Sequence, residues 1–183
     1  MFRYPLGPQA ELRLLEMQHV DELFALIDQN RAHLRRWLTW VDNTRAVADS
    51  RSFIRSALQQ FADNRGFTAG IWYRGALAGM IGYNDIDWFD SKAELGYWLG
   101  EQFQGHGLMT LACRALTSHS FHDLHLNRVE ILCAEGNNRS RAVPERLGFT
   151  QEGIMRQAEW LHDRFVDLVI YGMLASEWQH PRH

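Results

Sequence analysis

The sequence predicts a mixed α/β fold in three layers. Strand-like runs alternate with interposed helices, and the chain closes on two long adjoining strands, so parallel and antiparallel pairings both have a place. One strand-like run, Leu95-Gly96-Tyr97-Trp98-Leu99, also passes through glycines into a helix. The length agrees, since 183 residues suit one domain with a sizeable core, expected to span residues 1–183.

Glu11 to Leu15 reads as the first strand. Asp21 to Asp28 carries Leu23, Phe24, Leu26 and Ile27 at helical spacing, and Arg31 to Leu38 continues as a second short helix. Asp49 to Asn64 is a third, with Phe53, Ile54, Leu58 and Phe61 expected on one face and Gly66 just past its end. Phe67 to Tyr73 and Leu77 to Tyr83 form a hairpin about Arg74-Gly75. Ala93 to Leu99 is a strand, and Leu108 to Phe121 is a helix whose apolar face is Leu108, Leu111, Ala112, Ala115 and Leu116. Val129 to Cys133 is the next strand, followed by a short helix ending near Leu147. Phe149 to Trp160 and Phe165 to Leu174 close the chain, turning near His162-Asp163.

Composition excludes more than it assigns. A net charge of −3 and a pI near 6.3 give no basic surface for nucleic acid or an anionic membrane. The segment Met1-Phe2-Arg3-Tyr4-Pro5 lacks the apolar core of a signal peptide, and no long apolar stretch follows, so the expected location is cytoplasmic. Cys113 and Cys133 sit in apolar helix and strand patterns and read as buried thiols. His119, His122 and His125 match no usual zinc spacing, and no metal is expected. The seven Trp residues are mostly core by type. Trp37 and Trp40, beside Arg35 and Arg36, read equally as core, as an acceptor-site wall or as a subunit contact.

Gln104-Gly105-His106-Gly107-Leu108-Met109-Thr110 carries the clearest chemistry. A strand passing through glycines into a helix N-terminus leaves backbone N–H groups unpaired with the helix dipole behind them, which suits a pyrophosphate. A side chain at Gly105 or Gly107 would hold phosphate oxygens away from the backbone. No Gly-Lys-Ser/Thr follows, so this is not a Walker loop, and a dinucleotide fingerprint needs a third glycine. His106 within the loop reads as a solvent-facing residue rather than a base. A second block, Asn137-Asn138-Arg139-Ser140 through Leu147-Gly148-Phe149, follows the next strand.

Together the two blocks resemble the GNAT acetyltransferase superfamily. Gln104-x-x-Gly107-x-Met109 is similar to its pyrophosphate loop, with Met109 in place of a small residue, and Asn137-x-x-Ser140 and Leu147-Gly148-Phe149 fit without change. Asn30-Arg31-x-x-Leu34-x-x-Trp37-Leu38-x-Trp40 and Gln157-Ala158-Glu159-x-Leu161 resemble the ribosomal-protein N-terminal acetyltransferases of the RimJ/RimL type. The likeness implies a mixed, mostly antiparallel central sheet of about seven strands flanked by helices. It also implies acetyl-CoA as acetyl donor, held by Leu99, Gln104, Gly105, His106, Gly107, Leu108, Met109, Thr110, Asn137 and Ser140.

Acyl transfer from a thioester to an amine needs a pyrophosphate site, a track for the coenzyme arm, help for the oxyanion and a path for protons. The strand edge from Gly96 to Leu99 provides the track, because the arm's amides pair like an added strand. A backbone N–H near Leu95 to Trp98, freed where the family's strands splay, serves the oxyanion. Asn137 either bonds an arm amide or caps the following helix. By resemblance Ser140 protonates the leaving thiolate, with an N-cap as its alternative role and Tyr171 as the fallback donor. Pro144 is expected to bend or delay the helix and leave Ser140 irregular. Glu159 is either the general base or a carboxylate that only binds the cationic amine. The implied reaction is direct attack in a ternary complex, since neither cysteine lies in the motifs. Its acceptor is expected to be the N-terminal α-amine of a ribosomal protein. The alternatives are a small amine such as an amino acid, polyamine, amino sugar or drug, or a coenzyme-binding regulatory module without turnover. Relatives of this type commonly pair, so a homodimer is expected.

Overall fold

The computed structural model describes residues 3–179. Its strands are β1 (Arg3–Gly7), β2 (Ala10–Leu14), β3 (Thr68–Tyr73), β4 (Ala76–Asp87), β5 (Lys92–Leu99), β6 (Arg128–Ala134), β7 (Thr150–Leu161) and β8 (Arg164–Leu174). Its helices are α1 (Val20–Gln29), α2 (Arg31–Arg35), α3 (Val47–Ala62), α4 (Leu108–His122) and α5 (Asn138–Arg146). The eight strands form one mixed sheet in the order β1-β2-β3-β4-β5-β6-β8-β7, flanked by helices. β5 pairs parallel to β6, while β6–β8 and β7–β8 are antiparallel. The strand beyond the expected seven is β1, which was not predicted; it lies at the sheet edge, where Pro5 need not donate on its outer side. Met1 and Phe2, part of the segment read for a signal peptide, lie outside the described residues.

The chain divides into two compact units, Met1–Gly82 with Tyr97–Leu108, and Tyr83–Gly96 with Met109–His183. In the first, Leu23, Leu26 and Ile27 of α1 and Ile54 of α3 bury against Trp72, Leu77 and Met80. Burying each such side chain stabilises by about 1.5–3 kcal/mol. The buried face of α3 agrees with the expected one at Ile54, which is buried, and Leu58, which packs on the core, but Ser50 and Ala57 turn inward beside them while Phe53 and Phe61 are each 43% exposed. The i, i+4, i+7 spacing of Ser50, Ile54 and Ala57 defines the face; Phe53 lies one residue off it, and Phe61, on the same stripe, falls in the last turn of the helix with its ring edge-on to Phe67. α2 stops at Arg35, earlier than predicted. Arg31 donates to the carbonyls of Val41 (2.9 Å) and Thr44 (2.8 Å), curling the chain into a 3-10 turn over Thr39–Asn43.

In the second unit Ala112, Cys113 and Leu116 of α4 are buried, as are Val129, Ile131, Val169 and Tyr171 of the strands. Both cysteines are buried as expected, and burial pushes the Cys113 thiol up. Arg128 on β6 bonds Glu130 and reaches over β8 to Glu152 on β7. The pair crosses directly over Gly172, where a Cβ would push the Glu152 carboxylate and the Arg128 guanidinium aside.

Candidate active site

The first unit holds the glycine loop. The Gly100 N–H bonds the Ala78 carbonyl at 2.8 Å, fixing the end of β5, and a Cβ at Gly79 would overlap the Trp98 carbonyl beside Leu99. A 3-10 turn over Glu101–Phe103 follows, and buried Asn30 clamps its start, accepting from the Glu101 N–H at 2.8 Å while donating to the Leu26 carbonyl at 2.9 Å. Gln104 then reaches the His33 ring nitrogen at 3.1 Å. Gly105 (φ 82°) and Gly107 (φ 72°) are both left-handed, and a Cβ on either would meet nothing within 4 Å. Left-handed backbone therefore favours glycine here, and the space beside it is open. His106 is exposed, as expected of a solvent-facing loop residue, and its ring stacks on Tyr73 at 5.0 Å. Leu108 and Met109 are buried in the first turn of α4, where N–H groups lack intrahelical partners. Trp40 packs against this unit's core with its ring 5.9 Å from Trp98 and is itself half-buried, as is Trp37.

The second unit holds the second block. Asn137 is the N-cap of α5, its Oδ1 accepting from the Ser140 N–H at 3.3 Å. Ser140 thus lies in the first turn of a continuous helix, not in an irregular stretch. Pro144 removes only the N–H that would meet the Ser140 carbonyl, and proline's φ is otherwise helical. At the far end Gly148 is left-handed (φ 81°), with its N–H on the Glu145 carbonyl at 3.2 Å and the Phe149 N–H on the Pro144 carbonyl at 3.0 Å. The Leu-Gly-Phe block is therefore a helix stop, with Phe149 buried behind it. The Ser140 hydroxyl lies 3.2 Å from Cys133 Sγ. Tyr171, fully buried, donates to Glu145 Oε1 at 2.7 Å and accepts from Arg141 Nε at 2.9 Å. Burial raises the pKa of that hydroxyl, and its proton is already committed to Glu145.

Glu159 comes from an irregular part of β7. The register runs Met155↔Leu168 and then Glu159↔Val166, so three residues face Asp167 alone. At the middle of this bulge Gln157 is left-handed (φ 52°), and its N–H bonds Asp167 Oδ1 at 2.7 Å. Glu159 itself is half-buried, and desolvation pushes its carboxyl above the usual range. A carboxylate held at raised pKa beside a strand end is suited to taking a proton. The parallel pairing of β5 with β6 runs only from Lys92↔Arg128 to Leu95↔Ile131. A Cβ at Gly96 on β5 would displace the Asn84 amide, which lies against this glycine.

A family model described as an acetyltransferase (GNAT) domain matches residues 10–150, running through both units. The chain belongs to the GNAT acetyltransferase family. The YdaF protein of Bacillus subtilis (strain 168) is 41% identical over 180 residues, covering 98% of each chain. The ribosomal-protein-serine acetyltransferase of Escherichia coli (strain K12) is 32% identical over 166 residues, covering 91% of this chain and 93% of its own. The solved structure of RimL, a ribosomal L7/L12 alpha-N-protein acetyltransferase in complex with coenzyme A, superposes with TM-score 0.91 at 30% identity, covering 94% of this chain and 98% of that one.

As a GNAT enzyme this protein is an acetyl-CoA-dependent N-acetyltransferase, and acetyl-CoA is its acetyl donor. The left-handed glycines with open space beside them fit the demands of a phosphate-binding turn. Sequence reasoning missed Asn30 and His33, which brace the loop, although Asn30 opens the N-terminal block that carried the resemblance. It also missed Arg141 and Glu145, one turn apart on α5, and Asp167, a carboxylate interrupting the apolar run of β8. No helix among the described residues is long and apolar enough to cross a membrane.

Proposed function

We propose that this enzyme acetylates the N-terminal α-amine of a ribosomal protein, acting as a cytoplasmic homodimer. The observation that carries the reading is whole-length likeness to relatives named for that substrate class, at 32% and 30% identity. Gln104 to Thr110 hold the pyrophosphate of the acetyl donor, Leu99 borders its arm, and Asn137 caps α5 beside Ser140. In the ternary complex the amine nitrogen attacks the thioester carbonyl, and Glu159 takes the proton that the amine loses. A new C–N bond forms, a backbone N–H of β5 steadies the oxyanion, and the C–S bond breaks. Ser140 gives its proton to the leaving sulfur and is reprotonated from solvent while Glu159 releases the proton it took, so coenzyme A leaves as the thiol and both side chains are restored. Direct attack is supported by the burial of Cys113 and Cys133, which are 0% and 3% exposed and poorly placed to carry an acyl group.

The test is thiol release from acetyl-CoA against a panel of ribosomal-protein N-terminal peptides and small amines. Faster turnover on one or more peptides is expected. Turnover confined to small amines would overturn the acceptor assignment and leave the acetyltransferase intact.

A further inference from the structure

We propose that Asp167 is a positioning residue that holds the β7 bulge in the shape that presents Glu159. The inference rests on the proposed role of Glu159 and adds a residue to it. Three observations carry it. The bulge sets Arg156, Gln157 and Ala158 against Asp167 alone, two residues more than a regular ladder allows. Its central residue, Gln157, takes a left-handed φ of 52° without being glycine, a conformation that costs free energy and persists only where something holds it. What holds it is the Asp167 carboxylate, which accepts the Gln157 N–H at 2.7 Å.

Asp167 also faces the other way along the sheet. Its carbonyl accepts the Glu135 N–H at 2.9 Å, just past the end of β6, and the Glu135 carbonyl in turn accepts from Arg141 at 3.0 Å. Arg141 follows Ser140 on α5 and bonds the Tyr171 hydroxyl. One residue of β8 therefore touches both the turn leading to Ser140 and the bulge leading to Glu159. The backbone bond survives a side-chain change; the carboxylate bond does not. Removing the carboxylate separates the two and lets the bulge relax toward an ordinary ladder. In that ladder Gln157 returns to negative φ, and Glu159 shifts along the strand.

The experiment compares wild type, Asp167→Ala and Asp167→Asn by steady-state thiol release, acetyl-CoA affinity by calorimetry, and amide exchange at Gln157. In Asp167→Ala, kcat is expected to fall about tenfold or more from misplacement of Glu159, with acetyl-CoA affinity unchanged and Gln157 exchange accelerated. Asp167→Asn keeps an oxygen at the same place and should restore both protection and most of kcat. Should Asp167→Ala fail to fold, Gln157→Pro replaces it, since proline has no N–H and cannot adopt the left-handed φ. Wild-type kcat in whichever of these folds, or an Asp167→Asn as impaired as Asp167→Ala, overturns the proposal while the acetyltransferase reading stands. A wild-type chain inactive on every amine sinks both.

Discussion

Cys133 Sγ lies 3.2 Å from Ser140 Oγ, so the hydroxyl assigned to the leaving thiolate already rests against a sulfur of this chain. Asn137, not Ser140, supplies the cap of α5. Losing the Ser140 hydroxyl should therefore cost little fold stability. Ser140→Ala is expected to cut kcat while leaving acetyl-CoA affinity nearly intact, with a stability change below about 1 kcal/mol. Tyr171→Phe should do the reverse, weakening the fold by about 1–3 kcal/mol because Arg141 and Glu145 lose their shared partner. Stopped-flow thiol release and thermal melts on both variants check the pair. Wild-type turnover in Ser140→Ala, with turnover abolished in a folded Tyr171→Phe, would move the proton to Tyr171.

Gly107→Glu should abolish acetyl-CoA binding. At φ 72° any side chain strains the backbone by about 1 kcal/mol, and the added carboxylate enters the open space beside the loop with the wrong charge for phosphate. Gly107→Ala, with the strain but not the charge, should bind measurably more weakly than wild type and far better than Gly107→Glu. Calorimetry on folded protein decides it, and unchanged affinity in Gly107→Glu would place the pyrophosphate elsewhere.

The parts of this molecule legible in its sequence are those whose causes are local. Gly105, Gly107 and Gly148 are left-handed where the motifs put glycine, and the helix before Leu147-Gly148-Phe149 stops as its sequence says. The start of α5 was misread because a proline in a short helix signals a break, whereas here it removes one bond of a helix already capped by Asn137. The inward face of α3 was read correctly at Ile54 and Leu58 and not at Phe53 and Phe61, because hydrophobicity alone does not say which apolar residues of a helix reach the core. Asp167 was invisible for another reason. Its role depends on a register shift between β7 and β8, and register is a property of two strands rather than one.

Glu159→Gln should separate rate from stability. An α-amine has a pKa of about 8, so the rate loss should be greatest below that pH, where the acceptor is mostly protonated and a base matters most. Burial raises the folded-state pKa of Glu159 above its ordinary 4.5, so its protonated form suits the fold. The stability this contributes is present below the unfolded value and lost as pH rises through the folded one. Glutamine does not titrate. Relative to wild type, its melting temperature should therefore be higher at about pH 7 than at about pH 4. Melts at both pH values with a kcat profile test this. A raised KM with kcat unchanged would mean that Glu159 only binds the amine.

Trp37 and Trp40 should part company. Trp40 is half-buried but packed on the core near Trp98, so Trp40→Ala is expected to destabilise by about 1–3 kcal/mol, less than a fully buried large-to-small change. Trp37 is half-buried in the same segment, whose path is fixed by Arg31 bonding the Val41 and Thr44 carbonyls and by Arg35 pairing with Asp42 at 2.8 Å. A large aromatic on a braced segment loses little entropy when it meets a partner, which suits an acceptor wall at a subunit contact. Trp37→Ala should leave acetyl-CoA affinity and melting temperature near wild type, and impair acetylation of protein N-terminal peptides more than that of small amines. Sedimentation should find a dimer for wild type. A wild-type monomer that acetylates small amines alone, equally well with and without Trp37, would end both the dimer and the ribosomal-protein assignment.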